Sequence, residues 1–326
     1  MAIALLSHPV LCNYYVTYRC NASCAFCDIW EKPSPYVTLS QVEKNLIDLK
    51  KLGVKVIDFT GGEPLLHREI GHFLTLAKKM KFITTLTTNA LLYSKRALEL
   101  KGKIDMLHFS LDSLDKAKHD LSRNVACYDQ LMESIDLAIS LGERPDILFT
   151  ISPQNLDEVP EIHEFCVSKK LILILNPLFD YKGVKTEAYF SDDQLKKLSG
   201  YGKLKNVFLN QGFIKLRKNG GNDIKNPACF AGENTIVISP ENELITPCYH
   251  LGLKKFKIED NLYTLYSDFE VKKERDKAGK SKACASCTIN CYMQPSFLTH
   301  INKYFWSSLP STLKYNLKKG TWRQLL

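Results

Sequence analysis

Nowhere does this 326-residue sequence run to the roughly 18 consecutive apolar residues that a membrane-crossing helix needs, which excludes a helical membrane protein. Its amino end is short of basic residues. Met1 to Leu6 is apolar, no lysine or arginine precedes it, and His8 and Pro9 cut the run, so no secretory signal is expected there. No self-similarity with a period of about 20–50 residues is evident, which argues against solenoids and propellers. Apolar residues are not scarce either: 45% hydrophobic and 24% charged is ordinary for a globular protein and excludes disorder. The expectation is a folded cytoplasmic protein, long enough for one large domain and an appendage.

Cysteine is plentiful, with eleven in all. In a chain of this kind they read as metal ligands rather than as a disulfide framework. Cys20, Cys24 and Cys27 fall within eight residues, CNASCAFC, and three thiols so close converge on one small object only if that object binds them. Iron–sulfur clusters are usually held by four thiolates, so three would leave one iron open. A partial zinc site is the alternative, although no His or Cys follows Cys27 closely enough to complete a compact finger. Free core thiols are the third reading.

The surrounding pattern alternates strand and helix. Tyr14 to Tyr18 reads as a strand and places the thiols on a loop at its carboxyl end, the catalytic face of parallel barrels. Val42, Leu46, Leu49 and Leu52 recur at helical spacing behind the cap Thr38, and Gly53 ends that helix. Val54 to Thr60 is the next strand and runs into Gly61-Gly62-Glu63-Pro64, where two glycines permit a close backbone approach and proline fixes the exit. Further strands are expected at Phe82–Leu86, before Thr87-Thr88-Asn89-Ala90, at Ile104–Leu111 within HFSLDS, at Ile147–Ile151 and at Leu171–Leu175. Six β/α units therefore fit before residue 180, with right-handed crossovers.

The C-x3-C-x2-C spacing, with aromatic Phe26 before the last Cys, and the Gly-Gly-Glu-Pro turn in the matching order resemble the signature of radical S-adenosylmethionine (SAM) enzymes. The resemblance implies an α/β fold, a partial (β/α)6 TIM-like barrel with a small Cys-rich extension. It also implies a 4Fe–4S cluster on Cys20, Cys24 and Cys27 whose open iron takes the amino and carboxylate groups of SAM. Gly61, Gly62, Glu63 and Pro64 would receive the SAM amino group, and Asn89, Ser110 and Asp112 would lie near its carboxylate and ribose. Read without the family, the turn is an ordinary βα connection and Asn89, Ser110 and Asp112 are caps or turn residues.

From Asp180 to Asn226 the sequence carries no motif beyond a short helix expected over Ser191–Leu198. A second set of thiols follows. Cys229 and Cys248 flank a β-hairpin turning at Pro240-Glu241-Asn242, and Cys284, Cys287 and Cys291 come later. This arrangement is similar to the SPASM and Twitch extensions that bind auxiliary iron–sulfur clusters, but it departs from the full SPASM pattern. Five thiols stand where seven are usual, and Glu243 replaces a glycine. Five hold one four-ligand cluster, so a second auxiliary 4Fe–4S cluster is expected on Cys229, Cys248 and two of Cys284, Cys287 and Cys291. A structural zinc site is the rival. Cys12, Cys127 and Cys166 read as core thiols. The expected division is 1–215 barrel, 216–295 auxiliary domain and 296–326 tail.

That tail has no acidic residue, whereas Lys303, Lys314, Lys318, Lys319 and Arg323 interleave with Phe297, Tyr304, Phe305, Trp306, Tyr315 and Trp322. Docking on the barrel, a lid over an apolar substrate and peripheral membrane contact all suit it. The resemblance implies one-electron reduction by flavodoxin or ferredoxin, cleavage of SAM to a 5′-deoxyadenosyl radical and hydrogen abstraction. The expected substrate is a small apolar metabolite such as a lipid, isoprenoid or tetrapyrrole. Alternatives are a peptide-modifying SPASM maturase, weakened because no peptide-recognition domain precedes the barrel, and an RNA-modifying enzyme, for which no nucleic-acid module is seen. A non-enzymatic iron–sulfur or zinc scaffold would need no Gly-Gly-Glu-Pro turn.

Overall fold

The computed structural model describes residues 3–6, 8–180 and 189–321. Trp322 and Arg323 of the tail, and part of the expected connection after Asp180, lie outside the described residues. After the short β1 (Ile3–Ala4), the strands β2 (Leu11–Thr17), β3 (Val56–Gly61), β4 (Ile83–Thr88), β5 (Met106–Ser110), β6 (Asp146–Ile151) and β7 (Ile172–Pro177) pair in sequence order, all parallel. These are the six strands expected, and they form the parallel core of a partial TIM-like barrel. A two-residue β8 (Val207–Phe208) adds to β7.

Helices cover the outside: α1 (Leu39–Lys51), α2 (Ile70–Lys79), α3 (Tyr93–Leu100), α4 (Lys116–Arg123), α5 (Tyr128–Ser140), α6 (Val159–Ser168), α7 (Asp192–Tyr201) and α8 (Gln211–Lys218). The sequence rules behind them are visible in α1, where Thr38 and Gln41 form a capping box and Val42, Leu46 and Leu49 are buried. A cap of this kind contributes about 1 kcal/mol, and each buried leucine about 2 kcal/mol. Cys12, Tyr14 and Val16 of β2, Ile57 and Phe59 of β3, and Leu107 and Phe109 of β5 pack beneath these helices in one continuous core. Strand alternation then turns Asn13, Tyr15, Asp58, Thr60, His108 and Ser110 toward the barrel interior.

The remaining elements are α9 (Ala231–Asn234), the strands β9 (Thr235–Ile238), β10 (Glu243–Thr246) and β11 (Lys254–Lys257), α10 (Leu262–Ser267), α11 (Phe269–Arg275), α12 (Asn290–Thr299), β12 (His300–Ile301) and α13 (Lys303–Lys319). The expected hairpin is present as β9 and β10, but it has no sheet of its own. β9 pairs parallel with β2, so the barrel sheet continues through β9 into β10 and β11. Strand β2, which delivers the first three thiols, therefore sits between β3 and the segment carrying the second set.

The tail docks. α13 packs on α8, α12 and β8, and Tyr315 reaches the interior, donating to Asp146 Oδ2 at 2.7 Å with His108 Nε2 3.4 Å away. Lys319 lies 3.2 Å from Asp146 Oδ1. Because Asp146 is the first residue of β6, these contacts close the barrel at the amino ends of its strands. A lid over the opposite, cysteine-bearing end is thereby excluded for these residues. No helix among the described residues is long and apolar enough to cross a membrane.

Candidate active site and cluster-binding cysteines

The turn at Gly61-Gly62 is shaped by what lies against it. Gly62 N donates to Thr17 O and Glu63 N to Arg19 O, both at 2.9 Å, which fixes the end of β3 to the chain leading to Cys20. A Cβ on Gly61, at φ +149°, would stand 2.0 Å from Thr17 O, and one on Gly62 would stand 2.2 Å from Arg19 O. No other residue fits either position. Glu63 is buried, and both its oxygens are taken: Oε1 accepts from Leu65 N and Thr88 Oγ1, Oε2 from Asn89 N. Burial pushes its carboxyl up to about 7 against those three donors. Its side chain thus ties the turn to the end of β4, while Pro64 opens a short 3-10 turn.

Asn89 continues the chain of contacts by donating to Asn21 Oδ1 at 2.8 Å, inside the Cys20–Cys27 loop. The other end of that loop is held by α4, whose last carbonyls, Ser122 O and Arg123 O, accept from Ala25 N and Ser23 N at 3.2 Å. Arg123 is the residue that sequence reasoning missed. Its guanidinium lies 2.7 Å from Asp112 Oδ2, 3.8 Å from Cys24 Sγ and over the Phe26 ring at 5.4 Å. Burial works against its charge, but Asp112 and Cys24 hold it protonated. Asp112 Oδ1 and Arg123 Nη2 are buried with no hydrogen-bond partner among the described residues. An orphaned acceptor and donor beside a thiol fit a ligand that brings both an ammonium and a carboxylate. Ser110 is buried two residues before Asp112, at the end of β5.

α4 escaped notice because its periodicity is carried by His119 and Arg123, not by aliphatic side chains. His119 Nδ1 accepts from Asp112 N at 3.2 Å, so in the neutral ring Nε2 carries the proton, facing Cys127 Sγ at 3.4 Å. Burial, then Arg123, lowers this imidazole to about 4 and keeps it neutral. Asp120 accepts from Cys127 N and Tyr128 N. His119, Asp120 and Cys127 bring their ligand atoms within 4.8 Å of one another, yet all three groups are committed to bonds within the protein. The trio reads as a latch between α4 and α5 rather than as a metal site. Cys12 and Cys166 are buried core thiols.

The second set of thiols converges. Cys229, Cys248, Cys284 and Cys287 line one cavity whose other walls are mostly apolar, among them Ala231, Leu251, Ala278 and Ile289. Burial pushes Cys248 up to about 12 and Cys287 to about 11, and raises Cys229 and Cys284 as well. Such thiols become thiolates through the charge of a bound metal. Four thiols around one cavity make a complete four-ligand set, of the kind that holds an iron–sulfur cluster or a structural zinc.

Asn222, also unsignalled in sequence, builds this cavity: Nδ2 donates to Gly279 O and Cys284 O, and Oδ1 accepts from Ala228 N and Cys229 N. Its backbone exchanges bonds with Ser286 and Cys287. Gly279, at φ +73°, lets that loop approach, since a Cβ there would lie 2.5 Å from Cys229 O.

Cys291 does not line the cavity. It lies at the start of α12 and faces the barrel hollow, where solvent reaches it although protein surrounds it on most sides; that enclosure, then the nearby Asp58 carboxylate, pushes its thiol up to about 11. Of the three thiols that sequence left open, the geometry brings Cys284 and Cys287 to Cys229 and Cys248.

A parallel partial barrel with a three-cysteine loop at its carboxyl face is the architecture of a radical SAM domain. Residues 14–166 match the radical SAM superfamily, whose enzymes use a 4Fe–4S cluster and SAM. Similar curated proteins are a probable GTP 3′,8-cyclase of Methanocella arvoryzae, 30% identical over 52% of this chain and 56% of that one, and a GTP 3′,8-cyclase of Peptoclostridium acidaminophilum, 31% identical over 58% and 63%. The chain thus spans little more than half the length of these relatives.

Among solved structures, Streptococcus suis SuiB bound to SAM is similar with a TM-score of 0.69 at 20% identity, covering 83% of this chain and 68% of that one. The SAM-bound structure of anSMEcpe has a TM-score of 0.62 at 16% identity, covering 95% and 94%. At these identities the likeness is one of fold.

Proposed function

We propose that the chain is a radical SAM oxidoreductase that removes two electrons and two hydrogens from a polar substrate held in the barrel. The observation that carries this is the convergence of four thiols, Cys229, Cys248, Cys284 and Cys287, on one cavity. Four protein ligands complete a cluster and leave no iron for substrate, which favours electron transfer over ligation. When bound, the two clusters and SAM supply a 5′-deoxyadenosyl radical for hydrogen-atom abstraction and an acceptor for the second electron, with flavodoxin or ferredoxin as the donor of the initiating electron.

The chain's own residues then have definable tasks. Cys20, Cys24 and Cys27 hold the first cluster. The orphaned Arg123 Nη2 and Asp112 Oδ1 receive the amino-acid end of SAM, beside the Gly61–Pro64 backbone and Ser110. Asp58 takes the substrate proton: it faces the interior from mid-β3, accepts a bond from Thr85 at 3.4 Å, and burial lifts its carboxyl to about 7, the range of a working base.

The interior lining of Asn13, Asp58, Thr85 and His108 supports a polar substrate over the lipid, isoprenoid or tetrapyrrole expected from the tail. A peptide is the second reading, supported by the fold shared with SuiB, whose structure bound to the precursor peptide SuiA is among those similar to this chain. The relatives' GTP is not carried over, because the similarity spans only part of those proteins.

The test is metal content after anaerobic reconstitution. About eight iron per chain, unchanged in Cys291→Ala and halved in Cys284→Ala, is the expected result. Loss of iron in Cys291→Ala, or one zinc per chain, overturns the four-thiol assignment.

A further inference from the structure

Helix α13 is amphipathic the wrong way round for a helix packed on a protein. The residues it buries are Tyr304, Ser308 and Thr312, whereas Trp306, Leu313 and Leu317 are 65%, 52% and 60% exposed. At about 100° per residue, Trp306, Pro310, Leu313 and Leu317 fall in one stripe about 60° wide, and Tyr304, Ser308, Thr312 and Tyr315 point to the opposite side. The inward face is already engaged through the Tyr315–Asp146 bond, and the apolar stripe has no covering partner among the described residues.

Charge identifies what the stripe suits. At the same 100° per residue Lys303 and Lys314 fall on one flank of it, with Lys318 further round on that side, where it donates to Asn206 Oδ1, and no acidic residue occurs between Ser296 and Leu326. Lys215 of α8 stands against the same end, donating to Lys303 O at 3.0 Å. At the amino end of the helix, β1 pairs with β12 and brings exposed Ile3, Leu5 and Leu6 alongside. A second copy of the chain would set these lysines against one another. An anionic lipid surface would not: leucine and tryptophan enter the acyl boundary while lysines remain among the headgroups.

We propose that the outward face of α13 is a membrane-interface surface that seats the protein on anionic bilayers, with the helix in the plane of the interface. The helix spans about 25 Å at 1.5 Å per residue, and its inward face keeps the barrel closed while the outward face is inserted. The surface is independent of the reaction and leaves the cysteine-bearing mouth free at the other end of the strands.

The test is co-sedimentation of the full chain with vesicles of phosphatidylcholine alone and of phosphatidylcholine with 30% phosphatidylglycerol. Binding to the anionic vesicles is expected, falling at least tenfold between about 50 and 500 mM salt and at least tenfold in the triple variant Trp306→Ser, Leu313→Ser, Leu317→Ser. Those side chains are exposed, so the variant's melting temperature stays within a few degrees of wild type and serves as the folding control. Lys303→Gln, Lys314→Gln, Lys318→Gln tests the charge separately and should weaken binding to the anionic vesicles. No binding to the anionic vesicles, or equal binding by the serine variant, overturns the proposal. So does a dimer in sedimentation velocity that the serine variant abolishes, since the stripe would then be occupied by a second copy.

Discussion

The guanidinium of Arg123 stands 3.8 Å from the sulfur of Cys24, a contact across 99 residues that joins the end of α4 to the first cysteine loop. The same side chain pairs with Asp112 at 2.7 Å, so one cation faces a buried carboxylate and the sulfur of a proposed cluster ligand at once.

Replacing Arg123 by Ala is expected to cost about 3–5 kcal/mol of stability, because Asp112 would remain buried without its partner. In reconstituted protein the midpoint potential of the barrel cluster should fall, since losing a nearby cation disfavours the reduced form. Arg123→Lys keeps the charge but not the fork, and should restore potential better than SAM affinity. Potentiometry of both variants checks this; an unchanged potential in Arg123→Ala would place the guanidinium outside the field of the cluster.

Asn222→Ala should empty the auxiliary site alone. Its side chain makes four bonds that hold the Cys229 segment to Gly279 and Cys284. Iron is expected to fall from about eight to about four per chain while the electron paramagnetic resonance signal of the barrel cluster persists. Loss of both signals would show that Asn222 supports the whole fold.

Asp58 carries a pH dependence with a definite sign. Burial raises its carboxyl from 3.8 to about 7, so the native state holds the proton that the unfolded chain has released. Its contribution to stability is therefore full below about pH 4 and is lost as pH rises through about 7, with a ceiling of about 4 kcal/mol. Denaturant titrations of Asp58→Asn should show a gain over wild type at pH 8 that vanishes near pH 4. Turnover by wild type should rise with pH through about 7 and be abolished in the variant; retained turnover would remove Asp58 from the chemistry.

Tyr315→Phe should cost about 1–3 kcal/mol, since Asp146 loses a buried donor but keeps Lys319. Removing α13 altogether should open the amino end of the barrel and lower the melting temperature by more than any single substitution in that helix. Thermal denaturation followed by circular dichroism compares the two.

How much of this was legible depended on which residues carried the signal. The six strands announced themselves because each is an apolar or β-branched run delivered to a turn, and the cysteine and Gly-Gly-Glu-Pro spacings need no tertiary information. Arg123 and Asn222 were silent because a lone Arg on a polar helix and an Asn after two glycines look like surface and loop. Their roles exist only once residues about 60 to 100 positions away are brought to them. The hairpin was readable as a hairpin, but its joining to β2 was not, since parallel pairing between β2 and β9 leaves no local mark. The tail's basic and aromatic composition was evident, yet which of its faces would be buried was not, and α13 buries the polar one.

The most direct measurement is the electron paramagnetic resonance spectrum of the dithionite-reduced protein, reconstituted anaerobically, before and after SAM is added. In a Cys284→Ala, Cys287→Ala background the auxiliary signal should be absent and the remaining signal should shift on adding SAM. The further change Cys24→Ala should eliminate that signal. A barrel signal that SAM leaves unmoved would contradict the assignment of Cys20, Cys24 and Cys27, with Arg123 and Asp112 beside them, as the SAM-binding centre.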